Sequence, residues 1–219
     1  MTDRPFASPV CFAHENAAEP LDPQQATDVA RWRKAERLRL LAERAALPVA
    51  TRQSAAQAIA GHLDTLLARR FPNLNGLIIS AWWPIKAELD LRFWLASLAP
   101  RGATAALPVI LQPKAPLAFR PWTPEAAMER GFWNIPVPAT GPEITPHITL
   151  SPLVGWDSAG FRLGYGGGYF DRTLAAVTPS PIAIGIGLAA AHLPTIFPQP
   201  HDIPMDYILC EDGLSPLHA

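Results

Sequence analysis

The part of the sequence best suited to chemistry is a glycine-rich stretch between charged residues, Arg162-Leu-Gly-Tyr-Gly-Gly-Gly-Tyr-Phe-Asp-Arg172. Glycine at 164 and at 166 to 168 lets the backbone take conformations closed to other residues and lets a ligand approach the amides. We expect a helix to start at about Tyr169, so that its free N–H groups and positive dipole end face the loop. Such an arrangement binds phosphate.

Charged residues flank this loop on both sides. Arg162 and Arg172 could donate bidentate hydrogen bonds to phosphoryl oxygens, and Asp171 could offer an oxygen ligand to a magnesium ion that bridges them. The spacing fits neither the Gly-x-x-x-x-Gly-Lys-Ser/Thr loop nor a dinucleotide fingerprint. The alternative is a glycine turn that only lets a strand and a helix pack closely. Two arginines, two tyrosines and an aspartate at one place favour the phosphate site.

The loop requires a scaffold, and the hydrophobic pattern predicts one made of alternating strands and helices. Helices are predicted over residues 28–47, 50–69 and 90–98, besides the one that begins at about Tyr169. Apolar runs predict strands over residues 77–82, 104–109, 117–122, 148–154, 182–188 and 207–209. This alternation predicts an α/β layered domain with a largely parallel sheet.

The N-terminal region has two predicted parts. Residues 1–28 are interpreted as an extension and residues 29–219 as the α/β domain. Within the extension, Cys11, His14 and Glu15 are close enough together to suggest a metal site, although an arm that packs locally is the preferred interpretation.

Composition excludes several classes of protein. A chain of 219 residues fits one domain, and a formal net charge of −1 argues against general nucleic-acid binding. Two cysteines support no disulfide framework, and no apolar run reaches the length of a membrane span. Without a secretory signal, we expect a soluble cytoplasmic protein with no nucleic-acid or membrane partner. The sequence does not determine the oligomeric state, and a monomer is the working expectation.

Several segments, in the same order along the chain, resemble the 5-formyltetrahydrofolate cyclo-ligase family, also called methenyltetrahydrofolate synthetases. The glycine loop, preceded by Pro152 and Gly155-Trp-Asp157, is similar to the signature of that family. The resemblance covers residues 30–213 approximately. The other matching segments are Arg33-Lys-Ala-Glu-Arg37, Trp82-Trp-Pro-Ile-Lys-Ala-Glu-Leu-Asp90 and His201-Asp-Ile-Pro-Met-Asp206.

The resemblance implies a fold and a reaction. The implied fold is a single Rossmann-like three-layer domain, of the type shared with CoA transferases and sugar-phosphate isomerases, with a mostly parallel central sheet. The implied reaction is an ATP- and Mg²⁺-dependent cyclisation of 5-formyltetrahydrofolate to 5,10-methenyltetrahydrofolate, with release of ADP and phosphate. Such a reaction requires of the protein mainly positioning and neutralisation of charge.

The resemblance also implies a role for each matching residue. Magnesium would be held by Asp171 and Asp202, folate would contact Trp83 and Glu88, and catalytic roles would fall to Arg162, Tyr169 and Glu88. ATP would contact the first helix and the glycine loop, through Arg33, Lys34, Arg37, Arg162, Leu163, Gly164, Tyr165, Gly166, Gly167, Gly168, Tyr169 and Phe170.

Three positions depart from the usual family pattern. Phe170 replaces the second tyrosine of the loop, Val137 stands where many relatives have glutamate, and Glu36 replaces a leucine. Two alternatives therefore stand beside the enzyme. One is a paralogue that acts on another substrate, and the other is a non-catalytic regulator that binds folate or nucleotide and contacts a partner through its extension.

Overall fold

The computed structural model describes residues 23–215 and residue 217. Within these residues there are four α-helices, which are α1 (Pro23–Ala46), α2 (Val49–Arg70), α3 (Arg92–Ala96) and α4 (Tyr169–Ala176). Its strands are β1 (Ile78–Ser80), β2 (Thr104–Val109), β3 (Ala118–Pro121), β4 (Met128–Arg130), β5 (Pro136–Pro138), β6 (Ile148–Pro152), β7 (Gly155–Asp157), β8 (Arg162–Leu163), β9 (Ile182–Ile186), β10 (His192–Leu193), β11 (Tyr207–Cys210) and β12 (Gly213–Leu214). The Cys11, His14 and Glu15 group lies outside the described residues.

Helix α1 begins earlier than the sequence pattern predicts. It starts at Pro23 rather than at residue 28, so the last residues of the predicted extension are helical. Proline suits a first helical position because its fixed φ matches the helix and its missing N–H has no partner there. Helix α2 buries a stripe that includes Ile59, Leu63 and Leu67, and it packs against β11 and β12.

The main sheet has seven strands in the order β12-β11-β9-β6-β1-β2-β3. The pairings from β11 through β9, β6 and β1 to β2 are parallel, whereas both edge strands, β12 and β3, pair antiparallel. Its central strands are the most deeply buried, with Ile79, Ile148, Leu150 and Ile184 at 1% exposure or less. The predicted mixed α/β fold with a mostly parallel sheet is thereby confirmed.

The order of the strands reverses between β1 and β6. From β1 the chain adds β2 and β3 on one side, and it then returns to add β6, β9 and β11 on the other side of β1. At such a switch point the loops leave the carboxyl ends of neighbouring strands in opposite directions, which opens a crevice for ligands. The topology therefore places a candidate site after Ser80 and Pro152.

Two smaller sheets were not predicted. Strands β4 and β5 form an antiparallel hairpin, and β7 pairs with both β8 and β10. The hairpin matters for function because the turn that joins its strands reaches the crevice. No helix in the described part of the chain combines the length and the apolar content that crossing a bilayer requires.

Candidate active site

A cavity of about 640 Å³ opens at the carboxyl ends of the parallel strands. Its size is within the usual range for ligand and cofactor sites. The segments after β1 and β2, the end of β6, the glycine loop and the turn between β4 and β5 all contribute to its wall. The predicted site residues in this wall are Arg33, Arg37, Trp83, Glu88, Arg162, Gly164, Tyr165, Gly166, Gly167, Gly168, Tyr169, Phe170, Asp171 and Asp202.

The backbone amides of the glycine loop are available to a ligand. Among the hydrogen bonds of the described residues, none is donated by a backbone amide between Gly164 and Asp171. Gly166 and Gly168 have φ of 92° and 63°, in the left-handed region that favours glycine. Since α4 begins directly after Gly168, unpaired N–H groups and the positive end of a helix dipole lie together at the cavity.

Two arginines brace this loop through its carbonyl groups. Arg37 of α1 donates to the Gly164 oxygen at 2.7 Å, and Arg172 of α4 donates to the Gly167 oxygen at 2.6 Å. Because the carbonyl groups are occupied by side chains, the loop is held in one conformation. Arg172 is not among the cavity-lining residues, so it supports the loop from behind rather than facing the crevice.

Arg162 and Asp171 form a buried ion pair in the wall. A guanidinium nitrogen of Arg162 lies 3.0 Å from a carboxylate oxygen of Asp171, and the ring of Phe170 covers the guanidinium with its centroid 5.6 Å away. Burial lowers the pKa of Arg162, although Asp171 and Asp202 act to raise it. The other Asp171 oxygen accepts the amide of Ile203 at 3.2 Å, which links α4 to the C-terminal segment.

A second buried ion pair joins α1 to that segment. Arg33 approaches Asp202 at 2.5 Å and also donates to the carbonyl groups of Ile196 and Phe197. Burial alone would raise the pKa of Asp202, but hydrogen bonds from Arg33 and from the Gln199 amide outweigh it and the pKa is lowered. The cavity thus contains two arginine–aspartate pairs.

Glu88 supplies a buried carboxylate to the cavity wall. It is 8% exposed, and one of its oxygens accepts the Ile85 amide at 2.8 Å. Burial raises its pKa, while the Ile85 amide, the Arg44 charge and the Tyr165 phenol act to lower it. Burial and the nearby Glu88 carboxylate raise the pKa of Tyr165 to about 12, so this phenol is protonated at neutral pH.

Aromatic rings form the remaining walls. Trp83 lies beside the Arg92 guanidinium, which is 4.3 Å from the centre of its ring. On the other side, Trp133 makes an edge contact with Tyr169 at 5.6 Å, and 61% of Trp133 is exposed. These flat apolar faces are suited to a planar ring system.

Not every predicted site residue faces the cavity. Leu163 is fully buried in the core, and Lys34 is exposed on α1; neither is among the lining residues. The sequence reasoning also missed the turn of the β4–β5 hairpin. From this hairpin and turn, Phe132, Trp133, Asn134, Ile135, Pro136 and Val137 line the cavity. Tryptophan flanked by phenylalanine in a polar turn was the signal that could have identified it.

Comparison with known proteins identifies relatives along most of the chain. The family model of the 5-formyltetrahydrofolate cyclo-ligase family matches residues 29–211. The chain is 31% identical over 182 residues to the 5-formyltetrahydrofolate cyclo-ligase of Mycolicibacterium smegmatis, covering 79% of this chain and 90% of that protein. It is 28% identical over 174 residues to the enzyme of the same name from Haemophilus influenzae, covering 76% and 90%.

Solved structures share the fold. The 5,10-methenyltetrahydrofolate synthetase of Aquifex aeolicus matches with a TM-score of 0.72 at 22% identity, over 85% of this chain and 93% of that one. The corresponding synthetase of Mycoplasma pneumoniae matches with a TM-score of 0.64 at 24% identity, over 82% and 98%. The resemblance stated from the sequence is confirmed, and the chain belongs to the 5-formyltetrahydrofolate cyclo-ligase family.

Proposed function

We propose that this chain catalyses the ATP-dependent cyclisation of 5-formyltetrahydrofolate to 5,10-methenyltetrahydrofolate, with release of ADP and phosphate. One observation carries the proposal: a single cavity combines unpaired loop amides, buried arginines and a buried carboxylate between aromatic walls. The loop amides and the arginines suit a triphosphate. The carboxylate between aromatic walls suits a ring system with N–H donors. Family membership supports the same activity.

The reaction joins two steps that share one intermediate. The formyl oxygen attacks the γ-phosphorus of ATP; an O–P bond forms, and the bond to the ADP oxygen breaks. The folate N10 then attacks the activated formyl carbon, a C–N bond forms, the C–O bond breaks, and phosphate leaves while N10 loses its proton. Both steps require neutralisation of phosphate charge and close placement of N10.

The phosphate end of the cavity is the loop between Arg162 and Asp171. Its amides and the start of α4 would receive phosphoryl oxygens, and Arg162 and Arg37 would add positive charge. Buried guanidinium groups interact strongly with phosphate because little water screens them. Tyr169 lies in the first turn of α4 and lines the cavity, where its side chain would border the transferred group.

The folate end is the wall formed by Trp83 and Glu88. The carboxylate of Glu88 would accept hydrogen bonds from N–H groups of the pterin, and Trp83 would stack on its ring. Val137 places an apolar side chain in the same cavity, at a position where the family resemblance implies glutamate. We therefore assign to Glu88 the carboxylate contact with folate in this chain.

The donor set fits magnesium carried by ATP. In proteins this ion is commonly held by one or two carboxylates together with phosphate oxygens and water. Asp171 and Asp202 both line the cavity, and the described residues contain no larger group of metal-binding side chains. When bound, the ion would neutralise charge on the transferred phosphoryl group.

Four finer expectations accompany this function. We infer that the sheet belongs to the architecture shared with CoA transferases and sugar-phosphate isomerases, which its parallel centre and antiparallel edges support. The cytoplasmic location and the monomeric state stay predictions, as do the domain boundaries at residues 28 and 29.

An optical assay tests the proposal. Purified protein is mixed with 5-formyltetrahydrofolate, Mg²⁺ and ATP, and the near-ultraviolet absorbance of the methenyl product is followed. We expect the band to grow only when ATP is present. ADP release without the band would favour a paralogue with another substrate, and binding without turnover would favour a non-catalytic regulator. Either result would overturn the proposal.

A further inference from the structure

Arg44 of α1 is a buried cation that the proposed chemistry does not use. It is 7% exposed and is not among the residues that line the main cavity. It lines a small, mostly apolar pocket together with Leu40, Trp82 and Leu153, and the side chains of Glu43 and Glu88 border the same pocket. A charge in such surroundings costs free energy unless it has partners, so its partners indicate what it does.

The partners of Arg44 belong to the two segments that form the wall. It donates to the Tyr165 hydroxyl oxygen at 2.5 Å and to the Lys86 carbonyl at 3.2 Å, with a longer bond of 3.4 Å to the Leu153 carbonyl. Its Nε is buried without a hydrogen-bond partner. One side chain thus connects the glycine loop to the turn that carries Glu88.

The direction of these hydrogen bonds orients the phenol. A guanidinium can only donate, so the Tyr165 oxygen is the acceptor towards Arg44 and its own hydrogen points elsewhere. Glu88 lines the main cavity together with Tyr165 and the small pocket together with Arg44, so its carboxylate is the acceptor available near the phenol. Both the phenol and the Arg44 charge act to lower the pKa of Glu88. The charged and titratable groups near Glu88 are Arg44 and Glu43 from α1 and Tyr165 from the loop, and Lys86 places its ammonium 5.4 Å from the Tyr165 ring.

We infer that Arg44 is a positioning residue that, through Tyr165 and the turn at Lys86, sets the orientation and the charge of the Glu88 carboxylate facing the folate. This inference rests on the proposed function for the identity of the ligand. It predicts that the folate half of the site depends on a side chain that folate never touches. It also predicts that the ATP half depends on Arg44 much less.

The first test measures Glu88 directly in the free protein. The side-chain carboxyl carbon of Glu88, assigned by its loss in Glu88→Gln, is titrated by NMR in wild type, Arg44→Met and Arg44→Lys. We expect the Glu88 titration midpoint to move to higher pH in Arg44→Met. In Arg44→Lys it should lie between the midpoints of wild type and Arg44→Met. Arg39→Met is the matched control, because Arg39 is exposed on the same helix and pairs with Glu36 and Glu43.

The second test uses the kinetics. In Arg44→Met we expect the KM for 5-formyltetrahydrofolate to rise about tenfold, as for a lost charge-assisted hydrogen bond, with the KM for ATP changed less than about twofold. The acidic limb of kcat/KM for folate should move to higher pH in the same direction as the midpoint. If Arg44→Met does not fold, Tyr165→Phe removes only the hydroxyl and should move the Glu88 midpoint in the same direction.

The outcomes separate this inference from the proposed function. An unchanged Glu88 midpoint in Arg44→Met or in Tyr165→Phe would overturn the inference, and so would equal losses of folate and ATP affinity in Arg44→Met. A wild-type protein that forms no methenyl product would overturn the proposed function instead. The NMR titration requires neither substrate, so its result does not depend on that assay.

Discussion

Arg162 and Asp171 are paired at 3.0 Å in the cavity wall, although one is expected to bind phosphate and the other magnesium. The Arg162 side chain is 5% exposed and the Asp171 side chain 17%, so the pair has little water around it. Since a magnesium–ATP complex presents both a cation and an anion, it can satisfy each partner separately. We expect the pair to exchange partners when the complex binds.

Asp171→Asn should weaken the preference of the site for the magnesium–ATP complex over metal-free ATP. Without the carboxylate, Arg162 is free for phosphate and the repulsion between Asp171 and ATP is gone, so metal-free ATP should bind more tightly than in wild type. The magnesium complex should bind more weakly, and turnover should fall by about a hundredfold or more because a metal ligand is missing. Calorimetry with and without Mg²⁺ gives both affinities. We expect the affinity for magnesium–ATP, divided by the affinity for metal-free ATP, to fall by about tenfold or more.

The control for this change is Asp64→Asn. Asp64 also pairs with an arginine, Arg101 at 2.7 Å, but the pair is half exposed and does not line the cavity. It should leave the ratio of the two affinities unchanged. A wild-type ratio in Asp171→Asn, with an intact circular dichroism spectrum, would show that Asp171 has no role toward the metal.

Gly167→Val should disrupt nucleotide binding. A Cβ at this position would stand 3.0 Å from the Tyr169 ring, so the loop or that ring must move, and it would contact the Trp133 ring at 3.4 Å. We expect the KM for ATP to rise by at least about tenfold, because a displaced loop no longer aims its amides at one point. Gly61→Ala is the control, since a Cβ there meets nothing within 4 Å and lies in α2. Equal ATP affinity in both variants would mean that the glycines serve packing only.

Much of the scaffold follows from periodicity. The apolar run over residues 104–109 coincides with β2, four of the other five predicted runs each contain a strand of the main sheet, and the run over residues 207–209 ends one residue before β11 does. These strands belong to the large main sheet and contribute to its buried faces, so each contains enough consecutive apolar residues to be recognised. The strands that were missed, such as β8 and β10 with two residues each, are too short to show a period, and their partners determine them.

The site was predictable in its residue types but not in its pairings. Arg33 and Asp202 are 169 positions apart, and only the folded sheet brings them together. Two misplacements, in contrast, follow from local geometry. Leu163 alternates with Arg162 on a strand and so points to the core, whereas Lys34 is one position from Arg33 on a helix and so leaves the face shared with Arg37.

That difference in helical face predicts unequal effects for two basic residues of α1. Arg37 lines the cavity and donates to Gly164, and burial and the neighbouring Arg33 charge lower its pKa. Arg37→Met should raise the KM for ATP by about tenfold, since a phosphate contact and a brace of the loop are both lost. Lys34→Met should change it by less than about twofold, because an exposed ammonium contributes little through water. Initial rates at varied ATP concentration give the KM for ATP of both variants. Equal effects of the two variants would contradict the placement of Arg37, but not Lys34, in the ATP site.

Glu88→Gln should stabilise the protein in a way that depends on pH. Because burial raises the pKa of Glu88 in the folded protein above its ordinary value of 4.5, the folded state binds a proton that the unfolded state releases. At a pH below that ordinary pKa, the burial of Glu88 therefore costs no folding stability. The loss of stability grows as the pH rises through the pKa that Glu88 has in the folded protein. Glutamine has no charge to bury, so the unfolding temperature of Glu88→Gln minus that of wild type should increase with pH and then become constant. Thermal unfolding across this range checks the sign; a difference that is constant, or that decreases as the pH rises, would show that Glu88 is not held in a desolvated position.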